Sequence, residues 1–335
     1  MNRPNSTSLS GTVQQRILFL VLDGVELLDL TGPAQVFDMA AKLGARYSLH
    51  FCATTAQVRS AQGLFLAQLE PLPAVRPNDV VMVAGAQVLL SELGEPQLDA
   101  ETCQWLVDAY AVGSHLASIC IGAVALGEAG LLNHRRCTTH WALVKVLQQS
   151  YPTARVLDGI LYVQDRGITT SAGVASGIDM ALSLVEQREG SQLAAEVARQ
   201  MVIYLRRNGS QRQQSIYLEY RSHLHPAVHQ VQDWLTEHAT EPTSLVELAA
   251  IAQMSVRHFS RAFKEATGLT PGHYQQRLRL EVASTLLEQP DLSIEAVAAR
   301  CGFDDPRHFR RLWRRYFGVS PSATRKQQPA SISAS

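Results

Sequence analysis

The opening of the chain lacks what a membrane or export signal needs. Met1–Thr12 is polar, and the longest apolar run after it, Ile17–Leu22, is far too short to cross a bilayer. Residues 1–12 are therefore expected to be disordered, and the protein is expected to be cytoplasmic with no membrane partner. Cysteine is scarce as well. The five cysteines, at 52, 103, 120, 137 and 301, are odd in number and widely scattered. That excludes a disulfide framework, offers no metal-ligand spacing and suits a reducing compartment. No motif for a metal or cofactor stands out, and none is expected. Neither sign of charge dominates: 30 Lys+Arg stand against 30 Asp+Glu. The balance is divided, however. Residues 1–220 carry 16 Lys+Arg against 19 Asp+Glu, a net −3, while residues 253–326 carry 13 against 7, a net +6. The C-terminal part is thus the expected polyanion-binding end, through contacts that weaken steeply with salt. With 335 residues, 46% of them apolar, the chain can fill two cores rather than one.

What is present is a pattern written twice. Arg257-His258-Phe259 recurs 50 residues later as Arg307-His308-Phe309, and Gly268-Leu269-Thr270-Pro271 recurs at the same spacing as Gly318-Val319-Ser320-Pro321. Upstream, Leu248-Ala249 matches Val297-Ala298 at a spacing of 49, so one residue is inserted at the turn. Two copies of one supersecondary unit follow from such a repeat. Each copy reads as helix, tight turn, helix. Ser244 with Glu247 makes a capping box, Gln253-Met254-Ser255 is the first turn, and Gly268 then Pro271 stop the second helix. The second copy starts near Ser293, turns at Cys301-Gly302-Phe303 and restarts at Asp305-Pro306, where Asp caps and Pro takes the first helical position. In the second helix of each copy the large apolar and aromatic residues face inward: Phe259 and Phe263, then Phe309, Leu312, Trp313 and Tyr316. Arg257, Ser260, Arg261 and Lys264 face outward in the first, and Arg307, Arg310, Arg311 and Arg314, flanked by Arg315, in the second. Together with His258 and His308 these form the candidate contacts to double-stranded promoter DNA, because Arg bonds guanine edges or phosphates. A solvated basic face on an ordinary bundle is the plainer alternative for one such helix, but not for two in the same register.

These residues, from Val228 to Lys326, resemble the AraC/XylS family of bacterial transcription regulators. The resemblance implies an all-α bundle of seven helices with two helix-turn-helix units. Gln275–Leu287 would be the long connector, with Leu278, Val282 and Leu286 on one face. It also implies reading helices that enter successive major grooves. Here Pro321-Ser322-Ala323-Thr324-Arg325-Lys326 departs from the aromatic, Arg-rich ending common in the family.

Ahead of this region, from Arg16 to about Arg207, strands and helices alternate. Ile17–Leu22, Tyr47–Ala53, Val80–Ala84 and Leu116–Cys120 read as strands. Pro33–Leu43, Ala100–Val112, Ala123–Ala129, His140–Gln149 and Gly177–Glu186 read as helices. The alternation predicts a doubly wound parallel α/β sheet, with ligands at the carboxyl ends of its strands. Ser191–Leu205 reads as an amphipathic helix with Leu193, Val197, Val202 and Ile203 among its apolar residues. Arg206–Gln214 is polar and reads as a linker, and Ser215–Tyr220 as a segment that packs back on a domain. In Leu116-Ala117-Ser118-Ile119-Cys120-Ile121-Gly122-Ala123 a strand runs straight into a helix, with Gly122 expected to relieve the turn. That is the shape of a nucleophile elbow, and a helix N-terminus there would favour thiolate at Cys120. A small residue buried at a tight turn fits the same letters equally well.

The segments Asp23–Pro33, Leu116–Ala123, Ala129–Trp141 and Thr169–Asp179, the last read as a small-residue loop, together resemble the PfpI-type branch of the class I glutamine-amidotransferase-like superfamily. That implies a flavodoxin-like sheet. It places Asp29, Cys120 and His140 around one effector pocket, lined by Gly85, Ala86, Ile121, Trp141 and the Ser171-Ala172-Gly173 loop. Read locally, Asp29 could equally cap the helix after Pro33. The motifs Leu-Asp-Leu-Thr-Gly-Pro and Thr-Thr-His-Trp resemble isocyanide hydratase. In that enzyme a participating Thr follows the Cys. Ile121 stands there in this chain and cannot relay a proton, so Cys120 is read as a pseudo-nucleophile and the protein as no enzyme.

A PfpI-type domain followed by an AraC-type domain resembles the GlxA-like subfamily of transcription regulators. The expected layout is a sensor at 13–207, a linker at 208–226, a DNA-binding domain at 227–326 and a disordered tail at 327–335. The resemblance implies an activator of catabolic genes that responds to a small nitrogenous metabolite, acts as a homodimer and engages RNA polymerase. The rival expectations are a hydrolase or hydratase acting through Cys120, or a redox or electrophile sensor at the same thiol, either coupled to DNA binding.

Overall fold

The computed structural model describes residues 14–90, 97–203, 207–209, 213, 219–221, 223–287, 289 and 291–327; the side chains of residues 90, 326 and 327 are outside that description. The chain divides into two compact units, Met1–Gln213 and Gln214–Ser335. The expected disordered termini, 1–12 and 328–335, fall outside the described residues. Residue 327 does not belong to a tail, because it ends a helix.

The first unit is built on a six-stranded sheet. Its strands are β1 (Gln15–Leu20), β2 (Tyr47–Cys52), β5 (Val80–Val83), β6 (His115–Ile119), β9 (Tyr162–Asp165) and β10 (Ile168–Ser171), in the order β2-β1-β5-β6-β10-β9. All pairs are parallel except the hairpin of β9 with β10. Side chains alternate across the strands, so each run feeds two cores. Ile17, Phe19, Met82 and Ile119 pack on one face against α1 (Leu27–Lys42), α5 (Ala175–Glu189) and α6 (Ser191–Gln200). Leu18, Leu20, Val81, Val83 and Leu116 pack on the other against α2 (Ala100–Ala111), α3 (Gly122–Glu128) and α4 (Val144–Ser150). Each fully buried Leu or Phe contributes about 2 kcal/mol relative to exposure. Two short ribbons, β3 (Gln57–Arg59) with β4 (Phe65–Ala67) and β7 (Arg136–Cys137) with β8 (Arg155–Val156), complete the unit. The strand order reverses between β1 and β5, which opens a crevice at their carboxyl ends.

Several expectations need correction. The first helix begins at Leu27, not Pro33, so Asp29 lies inside its first turn rather than capping it, and Pro33 sits within the helix. Residues 168–171 are not loop: Ile168, Thr169 and Thr170 are β-branched and pair with β6. The hairpin before them turns at Arg166 and Gly167, both at positive φ (47° and 80°), the conformation a two-residue hairpin demands. Helix α6 stops at Gln200; Val202 has φ 55° and is 87% exposed, so it is not part of an apolar face. The segment read as a linker is held to the first unit wherever it is described. The Arg207 guanidinium donates to Asp179 Oδ2 from Nε (2.9 Å) and Nη2 (2.7 Å). The Gly209 carbonyl accepts from Leu161 and Tyr162, and the Gln213 side-chain amide donates to the Thr139 and Ile160 carbonyls. Polar composition suggested solvation, but these groups are spent on a carboxylate and on backbone partners of the first unit.

The second unit has seven helices among its described residues: α7 (Pro226–Glu237), α8 (Leu245–Ile251), α9 (Val256–Thr267), α10 (Pro271–Leu286), α11 (Ile294–Arg300), α12 (Pro306–Phe317) and α13 (Pro321–Gln327). The capping box Ser244–Glu247 forms, Ser255, Ser293 and Asp305 cap their helices, and Gly268 and Gly318 close theirs in the left-handed conformation. Two cores form. Val228, Leu248, Phe259, Phe263, Tyr274 and Leu278 make the first; Leu280, Val297, Phe303, Phe309 and Trp313 make the second. Helix α10 supplies both, so one straight element joins the two helix-turn-helix units. Arg279 on α10 adds a polar staple, donating to the carbonyls of Ala239 (2.9 Å), Glu241 (2.8 Å) and Gly302 (2.6 Å).

The two turns solve one problem differently. Gln253 (φ 54°) and Gly302 (φ 75°) both take the left-handed conformation after their helices. A Cβ on Gly302 would collide with the Thr240 carbonyl, whereas Gln253 tolerates its side chain at the matching position. Gly302→Ala is therefore expected to cost on the order of 2–4 kcal/mol, strain plus collision. Gln253→Gly should gain up to about 1 kcal/mol by removing left-handed strain. Urea denaturation of the two variants checks both signs.

Candidate functional site

The crevice at the sheet end gathers residues from four connections. Asp29 comes from the first turn of α1, Gly85 follows β5, Cys120 joins β6 to α3, and Gly173-Val174 joins β10 to α5. Cys120 takes the elbow conformation itself, with φ 57°, while its N–H donates to the Ser171 carbonyl (3.0 Å). Gly122 does not relieve that turn, as its φ is not positive; it is small because a Cβ would collide with the Val83 carbonyl of the neighbouring strand. Glycine at 85 and 173 has a similar cause. A Cβ on Gly85 would press on Asp29 Oδ2 and one on Gly173 on Cys120. Asp29, Gly85, Cys120, Ile121 and Gly173 thus form one close-packed cluster.

Asp29 is 1% exposed. Its Oδ1 accepts from the Val174 N–H at 2.6 Å, whereas Oδ2 is sealed from solvent and makes no well-formed hydrogen bond among the described residues, with the Cys120 thiol and the Gly85 N–H as the nearby donors. Burial raises the Asp29 pKa, against the lowering effect of hydrogen bonds from the Val174 N–H, the Cys120 thiol and the Gly85 N–H; among the charges nearby, Glu26 raises it further. Val174 holds its N–H there in a strained conformation (φ 48°, ψ −120°) that β-branched residues avoid. Cys120 does not carry the low-pKa thiol expected of a helix N-terminus. Burial, then the Asp29 charge, push it up to about 12. The helix behind it has only seven residues, so its dipole is weak against both effects.

His140 is not paired with Cys120. Its Nδ1 accepts from the Ala142 N–H at 3.4 Å, burial lowers its pKa, and among the described residues no hydrogen bond joins it to Cys120 or Asp29. Its ring packs against Trp141, which is 52% exposed. Ser171 is turned away: its hydroxyl donates to the Ser118 carbonyl inside the sheet. Ala86 and Ala172 are buried in backbone pairings with Val25 and Leu161. Three contributors were not foreseen: Val174, Gln213 and Thr139, whose hydroxyl donates to the Cys120 carbonyl at 2.8 Å. The Thr-Thr-His-Trp motif carried a signal for Thr139. Val174 had none, since its residue type argues against its backbone conformation.

In the second unit Arg257, His258, Arg261 and Lys264 on α9 are exposed, as are Arg307, Arg310, Arg311, Arg314 and Arg315 on α12. Ser260 and His308 are half-buried, and the His308 ring packs edge-on to Phe303 at the turn. Arg310, Arg311, Arg314 and Arg315 line a recess of about 550 Å³ with Ser320, Pro321 and Ser322. Arg310 is already ion-paired with Glu295 on α11, and Arg261 lies 3.9 Å from Glu265. Arg311 and Arg314 have no ion-pair partner among the described residues. Each of the two helices thus presents a cationic row suited to a polyanion.

Two outcomes are expected. Alkylation of Cys120 should be slow at pH 8 and rise with pH from 9 towards 12, since the thiolate is the reactive form; Asp29→Asn, which removes the repelling charge, should speed it at pH 8. Mass spectrometry of iodoacetamide adducts across pH reads this. Glu295→Gln should steepen the log–log salt dependence of duplex binding by about one, as the released Arg310 takes a phosphate; a fluorescence titration at several salt concentrations checks the slope.

Comparison with known proteins agrees with both halves. Residues 15–187 match the DJ-1/PfpI family, and residues 248–327 match a helix-turn-helix domain family. The HTH-type transcriptional regulator GbdR of Pseudomonas aeruginosa is 31% identical over 322 residues, covering 94% of this chain and 85% of that protein. CdhR of the same species is 31% identical over 321 residues, covering 95% and 93%. A THiJ/PfpI family protein from Pseudomonas syringae shares the fold, with a TM-score of 0.51 at 22% identity over 74% of this chain and 98% of that one. The order of the two domains, the paired helix-turn-helix units and the length of these matches together assign the chain to the AraC/XylS-family transcription regulators that carry a DJ-1/PfpI-type domain, the GlxA-like subfamily.

Proposed function

We propose that the protein activates catabolic genes when a small nitrogenous metabolite binds the sheet-end crevice. Asp29 carries this reading. Its sealed Oδ2 makes no well-formed hydrogen bond among the described residues, and a buried carboxylate in that state favours a cationic nitrogen over a neutral group. Three large apolar side chains are exposed next to the residues of this cluster: Leu28 beside Asp29, Val174 itself, and Trp141 two residues after Thr139. They suit an ammonium that carries apolar substituents, and a Trp face adds about 0.5–1 kcal/mol for a cation at an exposed site. The raised thiol of Cys120 and its lack of a His partner favour binding over turnover.

The metabolite acts by binding one arrangement of the protein better than the other. A preference of about 10²–10³-fold is enough to change promoter occupancy substantially. The sensing domain extends from residue 13 to Gln213 and the DNA-binding domain from 227 to 326. The protein works in the cytoplasm as a homodimer and engages RNA polymerase at the promoter. In the DNA complex Arg257, Arg261, Arg311 and Arg314 face the duplex, and the exposed row on each reading helix supports that assignment.

Isothermal calorimetry on the full chain tests the sensor. Basic amino acids, quaternary ammonium betaines and neutral amides are injected in turn. The expected result is one-site saturating heat for a cationic compound, weakened at least tenfold by Asp29→Asn. Sustained heat proportional to protein concentration and lost in Cys120→Ser would mean turnover and overturn the proposal.

A further inference from the structure

Arg277 lies on α10, and its guanidinium carbon is 5.1 Å from the ring centroids of both Tyr220 and Tyr316. Tyr220 belongs to the first described residues of the second unit, just past the point where the chain arrives from the sensing unit. Tyr316 is in the last turn of α12, the second reading helix. Arg277 also lies 3.6 Å from Glu219, whose carboxylate accepts from the Tyr220 hydroxyl at 2.6 Å. The Tyr220 carbonyl in turn accepts from the Gln232 amide at 2.8 Å, and its ring meets Tyr274 edge-on. Tyr316 is tied to the same connector helix through Glu281. Six residues before Glu219, Gln213 is bonded to the carbonyl of Thr139, and the Thr139 hydroxyl donates to the Cys120 carbonyl.

We infer that Arg277 is a positioning residue through which the segment arriving from the sensor holds the second reading helix. The assignment rests on the reading that the first unit senses and the second binds DNA, but the junction itself can be tested with no effector present. The chemistry suits the task. A planar guanidinium can engage two aromatic rings at once, and a carboxylate fixes its position along the helix. The half-buried contact is weak enough to be released and specific enough to matter (its side chain and that of Glu219 are each 29% exposed). The other staple on this helix behaves differently. Arg279 bonds three carbonyls and fixes the two helix-turn-helix units to each other, whereas Arg277 meets one ring of the arriving segment and one of α12. Tyr220 packs at the edge of the first core, which also seats α9, whereas Tyr316 and α12 belong to the second; removal of the Arg277 guanidinium therefore loosens α12 and leaves the α9 core intact.

The test uses the full chain and a duplex selected from a random library by the wild-type protein. Hydroxyl-radical footprinting should show two protected windows about one helical turn apart. The window lost in Arg311→Ala is that of α12. Arg277→Ala and Tyr220→Ala should each raise the protein concentration needed to protect the α12 window by about tenfold, equivalent to ~1.4 kcal/mol. In Arg277→Ala the α9 window should change less than twofold. Tyr220→Phe, which keeps the ring, should behave as wild type, and the double variant should be no worse than Arg277→Ala alone, because both remove one interaction. If Tyr220→Ala leaves the α12 window within twofold of wild type, the inference is wrong. Equal weakening of both windows in Arg277→Ala with a fall in Tm would also overturn it, since that pattern belongs to a merely structural residue. Neither result bears on whether a metabolite binds at Asp29, which the calorimetry decides separately.

Discussion

A carboxylate taken out of water with no cation beside it is costly, and Asp29 sits in that condition at the point where the sheet reverses its strand order. The arrangement around it follows from this one constraint. Val174 is drawn into a strained conformation so that its N–H can reach Oδ1. Gly85 and Gly173 are glycines because any side chain there would enter the space the carboxylate and thiol occupy. Cys120 stays a thiol because the same burial and the same charge oppose its ionisation. An elbow of the kind that serves catalysis in other proteins is here packed around a buried carboxyl group.

The second unit is governed by a different constraint, the need to keep two small cores in fixed relation. Neither core is large, and each depends on α10 for its central residues: Tyr274 and Leu278 for one, Leu280 and Ala283 for the other. A single helix running through both sets the spacing of the reading helices by its own rise. Arg279 and the tight approach of Gly302 to Thr240 then set their rotation. Exposed arginines on α9 and α12 can be numerous because the apolar face of each helix is fully committed, Phe259 and Phe263 in one, Phe309 and Trp313 in the other.

The sequence was legible where the cause of structure is local. Capping residues, left-handed glycines, the 50-residue repeat and the inward aromatic spacing follow from contacts within a few residues, and each lies where those contacts require. The buried strands of the sheet were legible for the same reason, as short apolar runs bounded by breakers. Reading failed where a distant partner decides. Ile168–Ser171 resembles a loop until β6 pairs with it, Gln213 resembles a linker until Thr139 and Ile160 accept its amide, and Val174 has a residue type that argues against its own conformation.

By itself, then, the sequence determined the two-domain architecture, the paired helix-turn-helix units and the division of charge between the halves, because periodicity, capping and composition act along the chain. Only the tertiary structure decided that the Cys120 thiol is held protonated, that Ser171 faces the sheet and that Arg277 meets both Tyr220 and Tyr316. Those outcomes depend on desolvation and on contacts between residues far apart in the chain, and neither quantity exists until the cores have formed.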